Sequence, residues 1–399
     1  MTLITVARAR ELVLDAVRPL GAEHVAIDAA LGRVLAEDVL AAGDVPSFAS
    51  SAMDGYAIVA GAGPQSLKII GESRAGAPSP LTVTDHDAIR ISTGAAVPGG
   101  ATAVVPQEKV TVADGEIETA AAVAPGDNIR RPGEDMHAGS TVLEAGTRVG
   151  AVELGAVAAA GAGGVSAARR PRAAVLCTGD ELRPPGAPLR PGEIHNSNAP
   201  MLTALAAGAG ARASPAQRLP DDRSATEAGI AAALERCDVV IISGGVSVGP
   251  HDHVKPALEA LGVDEVFWSV ALQPGKPTWF GRRASSLVFG LPGNPVSAVV
   301  TFSLFVAPAL AALQGAAPDR RGIEAEAALG ETVHRNPGRE QALRVRLERG
   351  EAGTTAFTNR AQGSHILTSL LGADALAMIP AGDGVLATGT RVALEAIAR

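Results

Sequence analysis

The sequence predicts a multidomain α/β plus β protein. A central, doubly wound parallel α/β domain is flanked by an N-terminal helical region with a small β domain and by a C-terminal β-barrel-like domain. Three observations carry this reading. Apolar strands alternate with helical patterns between residues 171 and 318, as a parallel sheet with crossover helices requires. Short β-like runs between glycines fill residues 41–139, and turn-rich strands return over 319–399. At roughly 150 residues per domain, 399 residues give about two to four domains.

The elements follow in chain order. Val6 to Arg18 and Asp28 to Glu37 show helical spacing, with Leu12, Val13, Val17, Leu31 and Leu35 on apolar faces. Next come β-like runs at Leu67–Gly71, Ala88–Ser92, Ala103–Pro106, Lys109–Ala113 and Glu116–Thr119. Asp114-Gly115 between the last two is a two-residue hairpin signal. Helical character returns at Gly150–Ala160, and Arg169-Arg170-Pro171-Arg172 marks a boundary. The expected domains are 1–40 with 140–170, 41–139, 171–318 and 319–399. In the third, strands at Ala173–Thr178, Asp238–Ser243 and Ser286–Leu291 alternate with helices near Ala199–Ala207, Ser224–Glu235, His253–Leu261 and from Val296. In the fourth, Gln341–Leu347 and Thr354–Thr358 read as a hairpin and Ser364–Leu371 as a short helix.

Composition narrows the function. The net charge of −8 and an aromatic content of 3% disfavour a nucleic-acid partner, which needs basic surface or stacking platforms. Cys177 and Cys237 have no C-x-x-C spacing and lie in apolar runs, so they read as buried hydrophobes. Charges at Arg8, Arg10, Glu11 and Asp15 leave no room for a signal-peptide core. Ala284–Pro318 is uncharged, but Pro292, Pro295 and Pro308 are expected to divide it below membrane-spanning length. The reading is a cytoplasmic protein with no membrane partner.

Three strand ends run into polar loops: Thr178-Gly179-Asp180-Glu181, Ser243 to Gly249 with Gly244, Gly245 and Ser247, and Pro292-Gly293-Asn294-Pro295. Ligands of parallel sheets bind beyond the carboxyl ends of the strands, so three such loops on one rim indicate a site. The second loop suits an anion, with backbone N–H groups and the Ser247 hydroxyl. Neither a Walker A spacing nor a strand-borne G-x-G-x-x-G is present, which disfavours a dinucleotide oxidoreductase. Asp180, Glu181, the Asp221-Asp222 pair and Asp252 place carboxylates beside the anion loop, a combination that makes sense around Mg²⁺. Asp222 and Asp252 also suit helix N-termini. Lys276 sits in a proline-stiffened turn, and His251 and His253 are not on one helical face.

Taken in order, Ser51-Ala52-Met53-Asp54-Gly55-Tyr56-Ala57, Ser92-Thr93-Gly94-Ala95, Arg131-Pro132-Gly133-Glu134-Asp135, Thr178-Gly179-Asp180-Glu181-Leu182, Ser243 to Gly249, Pro274-Gly275-Lys276-Pro277, Leu291 to Ser297 and Gln362-Gly363-Ser364-His365 closely resemble the MoeA/gephyrin E-domain family, the molybdopterin molybdenumtransferases. The resemblance implies insertion of molybdate into adenylylated molybdopterin with Mg²⁺-dependent release of AMP. It further implies a homodimer, with the pathway's adenylyltransferase and acceptor molybdoenzymes as partners. By motif, Glu181, Asp222 and Asp252 are the implied metal-side acids. Thr178, Gly179, Asp180, Ser243–Gly249 and Pro292–Pro295 form the implied phosphate and nucleotide cradle. Lys276, Arg344 and Ser364 or Ser369 fall at the molybdate or pterin end. Asp54, an implied acid–base or positioning group, comes across the dimer interface with Thr93 and Asp135. Motif alone does not separate Asp221 from Asp222. Gln273 stands where many members carry lysine, and Ala49 replaces a frequently acidic residue; both bear on oxyanion affinity and on a preference for molybdate or tungstate. The competing readings are a molybdopterin adenylyltransferase and a non-catalytic gephyrin-like scaffold.

Overall fold

The computed structural model describes residues 3–245, 252–317, 325–351 and 353–398. The central domain is a seven-stranded sheet. Its parallel part holds β1 (Arg172–Thr178), β2 (Val239–Ser243) and β3 (Ser286–Leu291), with the short strands Arg212–Ala213 and Gln217–Leu219 on the outer side of β1. Helices α1 (Asn198–Gly208), α2 (Arg223–Leu234), α3 (Val254–Ala260) and α4 (Pro295–Leu313) cover it. Side chains alternate between the two faces of a strand. Ala173, Val175 and Cys177 of β1 therefore join α1, α4 and the N-terminal helix Val6–Ala16 in one apolar layer. Ala174 and Leu176 join α2 and α3 in the other. Helices on both faces explain why these strands are continuously apolar rather than alternating.

The far side of the sheet departs from the parallel expectation. Trp279–Arg283 lies antiparallel on β3, and Asp264–Trp268 lies antiparallel on Trp279–Arg283. The expected division of the uncharged stretch at Pro308 is also corrected. A single 19-residue helix spans Pro295–Leu313, with a π-helical turn at Phe302–Val306 just before Pro308. Widening the turn shifts the hydrogen-bond register, and a proline lacking an N–H then fits within the helix. The helix has the length and hydropathy of a membrane span, but it is mostly buried and serves as a core helix.

Asp28–Glu37 is not an α-helix. Only Ile27–Ala29 makes a 3₁₀ turn. Gly32 takes a positive φ, and Gly32 and Leu35 then donate to the carbonyls of Val149 and Thr147. Tertiary backbone pairing has displaced local helix. Ala22–Ala26 pairs with Gly164–Ala168, joining the two chain ends of this region around Leu35, Val39, Val149 and Val157. The small β region is a six-stranded sheet in which Val110–Ala113 and Glu116–Thr119 form the hairpin, with Asp114 and Gly115 both at positive φ. At the C-terminus, Glu340–Gly350, Gly353–Thr358, Glu326–Leu329, Arg391–Ala396 and Ala375–Ile379 pair in sequence. The first and last of these also pair with each other, which closes a barrel. Within Ser364–Leu371 only Leu367–Leu370 is helical, as a 3₁₀ turn.

Candidate active site

Parallel register brings the carboxyl ends of β1, β2 and β3 level: Cys177 pairs with Ser243, and Ser243 with Leu291. The loops leaving these ends surround a cavity of about 620 Å³. Its wall includes Thr178, Gly179 and Glu181 from the first loop, Ser243, Gly244 and Gly245 from the second, and Pro292 to Pro295 from the third. Asp221 and Asp252 complete the acidic side, and Pro277 forms a further edge. Residues more than a hundred positions apart thus share one wall.

The glycines answer a steric demand. Gly244 and Gly245 have φ of 88° and 67°. A Cβ on Gly245 would stand 2.6 Å from Val254 Cγ2 and 2.9 Å from Thr178 Oγ1, so the backbone can approach the first loop only without a side chain. Gly244 N–H donates to the Leu291 carbonyl, fastening the second loop to the third. Ser247 and Gly249 lie outside the described residues, as does His251.

The acids divide by role. Asp222 is the N-cap of α2: its Oδ1 accepts from Ala225 N–H at 2.8 Å, and it is not among the cavity-lining residues. Asp221 lines the cavity, and its Oδ2 accepts from Asp180 N–H at 3.1 Å. The structure therefore corrects Asp222 to Asp221 as the acid facing the cavity, because a capping carboxylate is turned into its own helix. Asp180 pairs with Arg218 at 3.4 Å on the outer side, and the same guanidinium donates to the Gly179 carbonyl. Glu181 is exposed, with its carboxylate folded over Gly179. Among the described residues, no three acids, histidines or cysteines already stand close enough together to hold a metal.

A segment that sequence reasoning passed over, Ile194-His195-Asn196-Ser197-Asn198, also lines the cavity. Asn198 is buried at the start of α1 and donates through Nδ2 to Ser243 Oγ and to the Gly293 carbonyl, both at 2.8 Å. A carbonyl can only accept, so the amide orientation is fixed. The available signal was an Asn-Ser-Asn run opening a helix beside a strand end. Cys177 also lines the cavity, but burial pushes its thiol up to about 11 and so favours the protonated form at neutral pH.

Other sequence candidates lie outside this wall. Lys276 is exposed beside Pro277, and its own carbonyl accepts from Val270 and Thr278 N–H. Ser364 Oγ accepts from Asn294 Nδ2 at 3.1 Å, and its carbonyl accepts from Val296 N–H, so it reaches the rim from the C-terminal barrel. Arg344 is fully buried in that barrel. It donates to Ser369 Oγ at 3.1 Å and, more weakly, to the Ala342 and Gly363 carbonyls. No carboxylate faces it among the described residues, and burial lowers its pKa to about 10. Asp54 and Thr93 form an exposed pair in the small β region: Asp54 Oδ1 accepts from Thr93 N–H at 2.7 Å and Oγ1 at 3.0 Å. Those bonds hold the carboxyl below its ordinary range. Asp135 is exposed, with its N–H on the Val45 carbonyl. Within one chain, Asp54, Thr93 and Asp135 do not line the cavity.

Known proteins give a consistent comparison. Residues 4–161 match the family described as MoeA N-terminal region (domain I and II). Residues 174–312 match the probable molybdopterin binding domain, and residues 326–397 the MoeA C-terminal region (domain IV). A molybdopterin molybdenumtransferase of Haemophilus influenzae is 36% identical over 98% of both chains. Molybdopterin molybdenumtransferase 2 of Mycobacterium tuberculosis is 39% identical over 95% of both. The crystal structure of the molybdopterin biosynthesis MoeA protein from Pyrococcus horikoshii superposes with a TM-score of 0.84 at 31% identity, covering 99% of this chain and all of the other.

Proposed function

This chain belongs to the molybdopterin molybdenumtransferase family and is a transferase of molybdenum cofactor biosynthesis; from that premise we propose that it inserts molybdate into adenylylated molybdopterin, with Mg²⁺-dependent release of AMP. One observation carries the reading: three polar loops distant in sequence meet on one cavity that joins three carboxylates to a left-handed glycine pair. An all-acid wall would repel a phosphoanhydride. Hard carboxylate oxygens suit Mg²⁺, which is ordinarily held by one or two carboxylates together with substrate phosphates.

Glu181, Asp221 and Asp252 would hold the ion, which when bound supplies positive charge to the leaving phosphate. The residues of the chain do the rest. Gly244 and Gly245 let the backbone come close to the phosphates. Asn198 fixes Ser243 and Gly293 in place before substrate arrives, so little reorganisation accompanies the reaction. Lys276 is the exposed cation on the oxyanion side. Arg344, buried with no acid partner among the described residues, joins Ser369 as the proposed pterin or molybdate end, with Ser364 linking barrel and cavity. Asp54, Thr93 and Asp135 would enter from the second subunit of a homodimer.

The test is a single-turnover assay with purified protein, adenylylated molybdopterin and molybdate, following AMP with and without Mg²⁺. Molybdate- and Mg²⁺-dependent AMP release, lost in Glu181→Gln and Asp252→Asn, is the expected result. Transfer of AMP from ATP to molybdopterin would instead establish an adenylyltransferase. Unchanged turnover in the double variant would refute the acid assignment.

A further inference from the structure

We propose a second, separate anion-binding site, at the opposite end of the sheet from the substrate cavity, that takes a pyrophosphate group. A cavity of about 510 Å³ lies where the helical region meets the α/β domain. It is lined by Arg33, Arg169, Arg170, Arg172 and Arg212, with Glu23 as its one acid. Asp238 stands behind them, accepting from Arg169 through both oxygens at 3.1 Å and lying 3.5 Å from Arg172. Five guanidiniums thus face two carboxylates, an excess of three positive charges in a chain whose net charge is −8. Arg170 and Arg212 are exposed and have no acid partner among the described residues.

Glu23 and Asp238 offset only part of this charge, and the guanidiniums left over repel one another unless a further anion joins them. A second observation points the same way. Arg33 is more than nine-tenths buried, pairs with Glu23 at 2.5 Å and donates to the Ala168 carbonyl, yet its Nε has no hydrogen-bond partner. A buried guanidinium donor left unused is costly, and it marks Arg33 as the one buried member of the cluster whose hydrogen-bonding capacity the protein itself does not fill. Backbone pairing fixes the platform: Arg172 lies directly across from Arg212, and Arg212 N–H donates to the Pro171 carbonyl. An adjoining cavity of about 310 Å³ shares Arg172 and Arg212 and adds Arg236, extending the positive surface along the sheet edge.

The ligand class follows from the donors. Guanidinium forks bind phosphate oxygens in pairs. The excess of three charges favours a multiply charged diphosphate over a single carboxylate. Free pyrophosphate and the tail of a nucleoside polyphosphate share that chemistry. The site is distinct from the substrate cavity: Arg172 opens β1 and Thr178 closes it, about 20 Å along the strand.

The test is titration calorimetry on the full chain, in chelator so that no divalent ion serves the acidic cavity, with inorganic pyrophosphate, orthophosphate and ATP as separate probes. Pyrophosphate is expected to bind at one site per chain, more tightly than orthophosphate. ATP binding as tightly as pyrophosphate would assign the nucleotide tail, and ATP failing to bind would assign the free anion. Arg170→Ala/Arg212→Ala should weaken pyrophosphate by about tenfold or more, with unchanged melting and unchanged AMP release. Arg170→Lys/Arg212→Lys keeps the charge but not the fork and should fall between. No saturable heat with wild type, or equal affinity in wild type and the alanine variant, would overturn the site.

Discussion

Asn198 is the most informative single position in the cavity at the strand ends, because its side chain fastens two loops with two hydrogen bonds. Nδ2 donates to Ser243 Oγ and to the Gly293 carbonyl, both at 2.8 Å, in a buried setting. Asn198→Ala removes both bonds, each with a net value of about 1 kcal/mol, and strands the Gly293 carbonyl at a further cost of about 1 kcal/mol or more. The expected loss is about 2–4 kcal/mol in the stability of the α/β domain. Asn198→Asp is the sharper variant. It is nearly the same size, but a carboxylate cannot donate to the Gly293 carbonyl and would sit beside it as a buried charge. At neutral pH it should be more damaging than alanine, and acidification should relieve it as the carboxyl protonates and regains a donor. Urea unfolding followed by the far-ultraviolet signal gives the stability, and single-turnover AMP release gives the function. Turnover should fall in both variants, because the third loop loses its tether to the first helix. Wild-type stability in Asn198→Ala, or a milder effect of aspartate than of alanine at neutral pH, would refute the assignment of the amide as a donor bridge.

The neighbouring acids should separate cleanly. Asp222→Ala should lower stability by about 1 kcal/mol through loss of the α2 cap while keeping AMP release, whereas Asp221→Asn should abolish release with little change in unfolding. Asp238 is held below the ordinary carboxyl value of 3.8: burial opposes its ionisation, and the Arg169 and Arg172 donors outweigh that effect. Its contribution is therefore present above pH 3.8 and fades as pH falls through the lowered folded value. Asp238→Asn should cost about 1–2 kcal/mol near neutrality, discounted for the partly exposed arginines, and should flatten the acid limb of the stability curve. Cys177, pushed up to about 11 by burial, should resist iodoacetamide in the native protein at neutral pH and react fully once unfolded, as mass spectrometry would show.

What was legible in the sequence is what local chemistry determines. Ser286–Leu291 and Ala103–Pro106 stand out as uninterrupted apolar runs, and Asp114-Gly115 announces its hairpin because both residues tolerate positive φ. The glycine-rich loops at the strand ends were equally visible, since a turn that needs Gly244 and Gly245 leaves its mark in residue type. The misses are positions where distant backbone overrides local preference. Asp28–Glu37 has helical spacing, but its N–H groups find carbonyls at Thr147 and Val149. Pro308 reads as a helix break, but a π turn absorbs it. Asp221 and Asp222 are chemically identical neighbours, and only the direction of α2 tells a cap from a cavity acid. Asn198 carries no charge and belongs to no familiar pattern, so its bridging role exists only once Ser243 and Gly293 have been brought beside it.

Gln273 shows how such a three-dimensional context changes the meaning of a substitution. Read alone, glutamine in place of a lysine removes one cation. In the fold, Leu272–Gln273 is the short strand that joins the α/β domain to the C-terminal barrel, running parallel to Glu340 and Gln341. The Gln273 Oε1 accepts from Asn336 Nδ2 at 2.6 Å, and Asn336 N–H in turn donates to Gln341 Oε1. Lysine has no acceptor and could not make the first of these bonds. The residue therefore exchanges local positive charge for a polar seam between domains, on the same turn that carries Lys276.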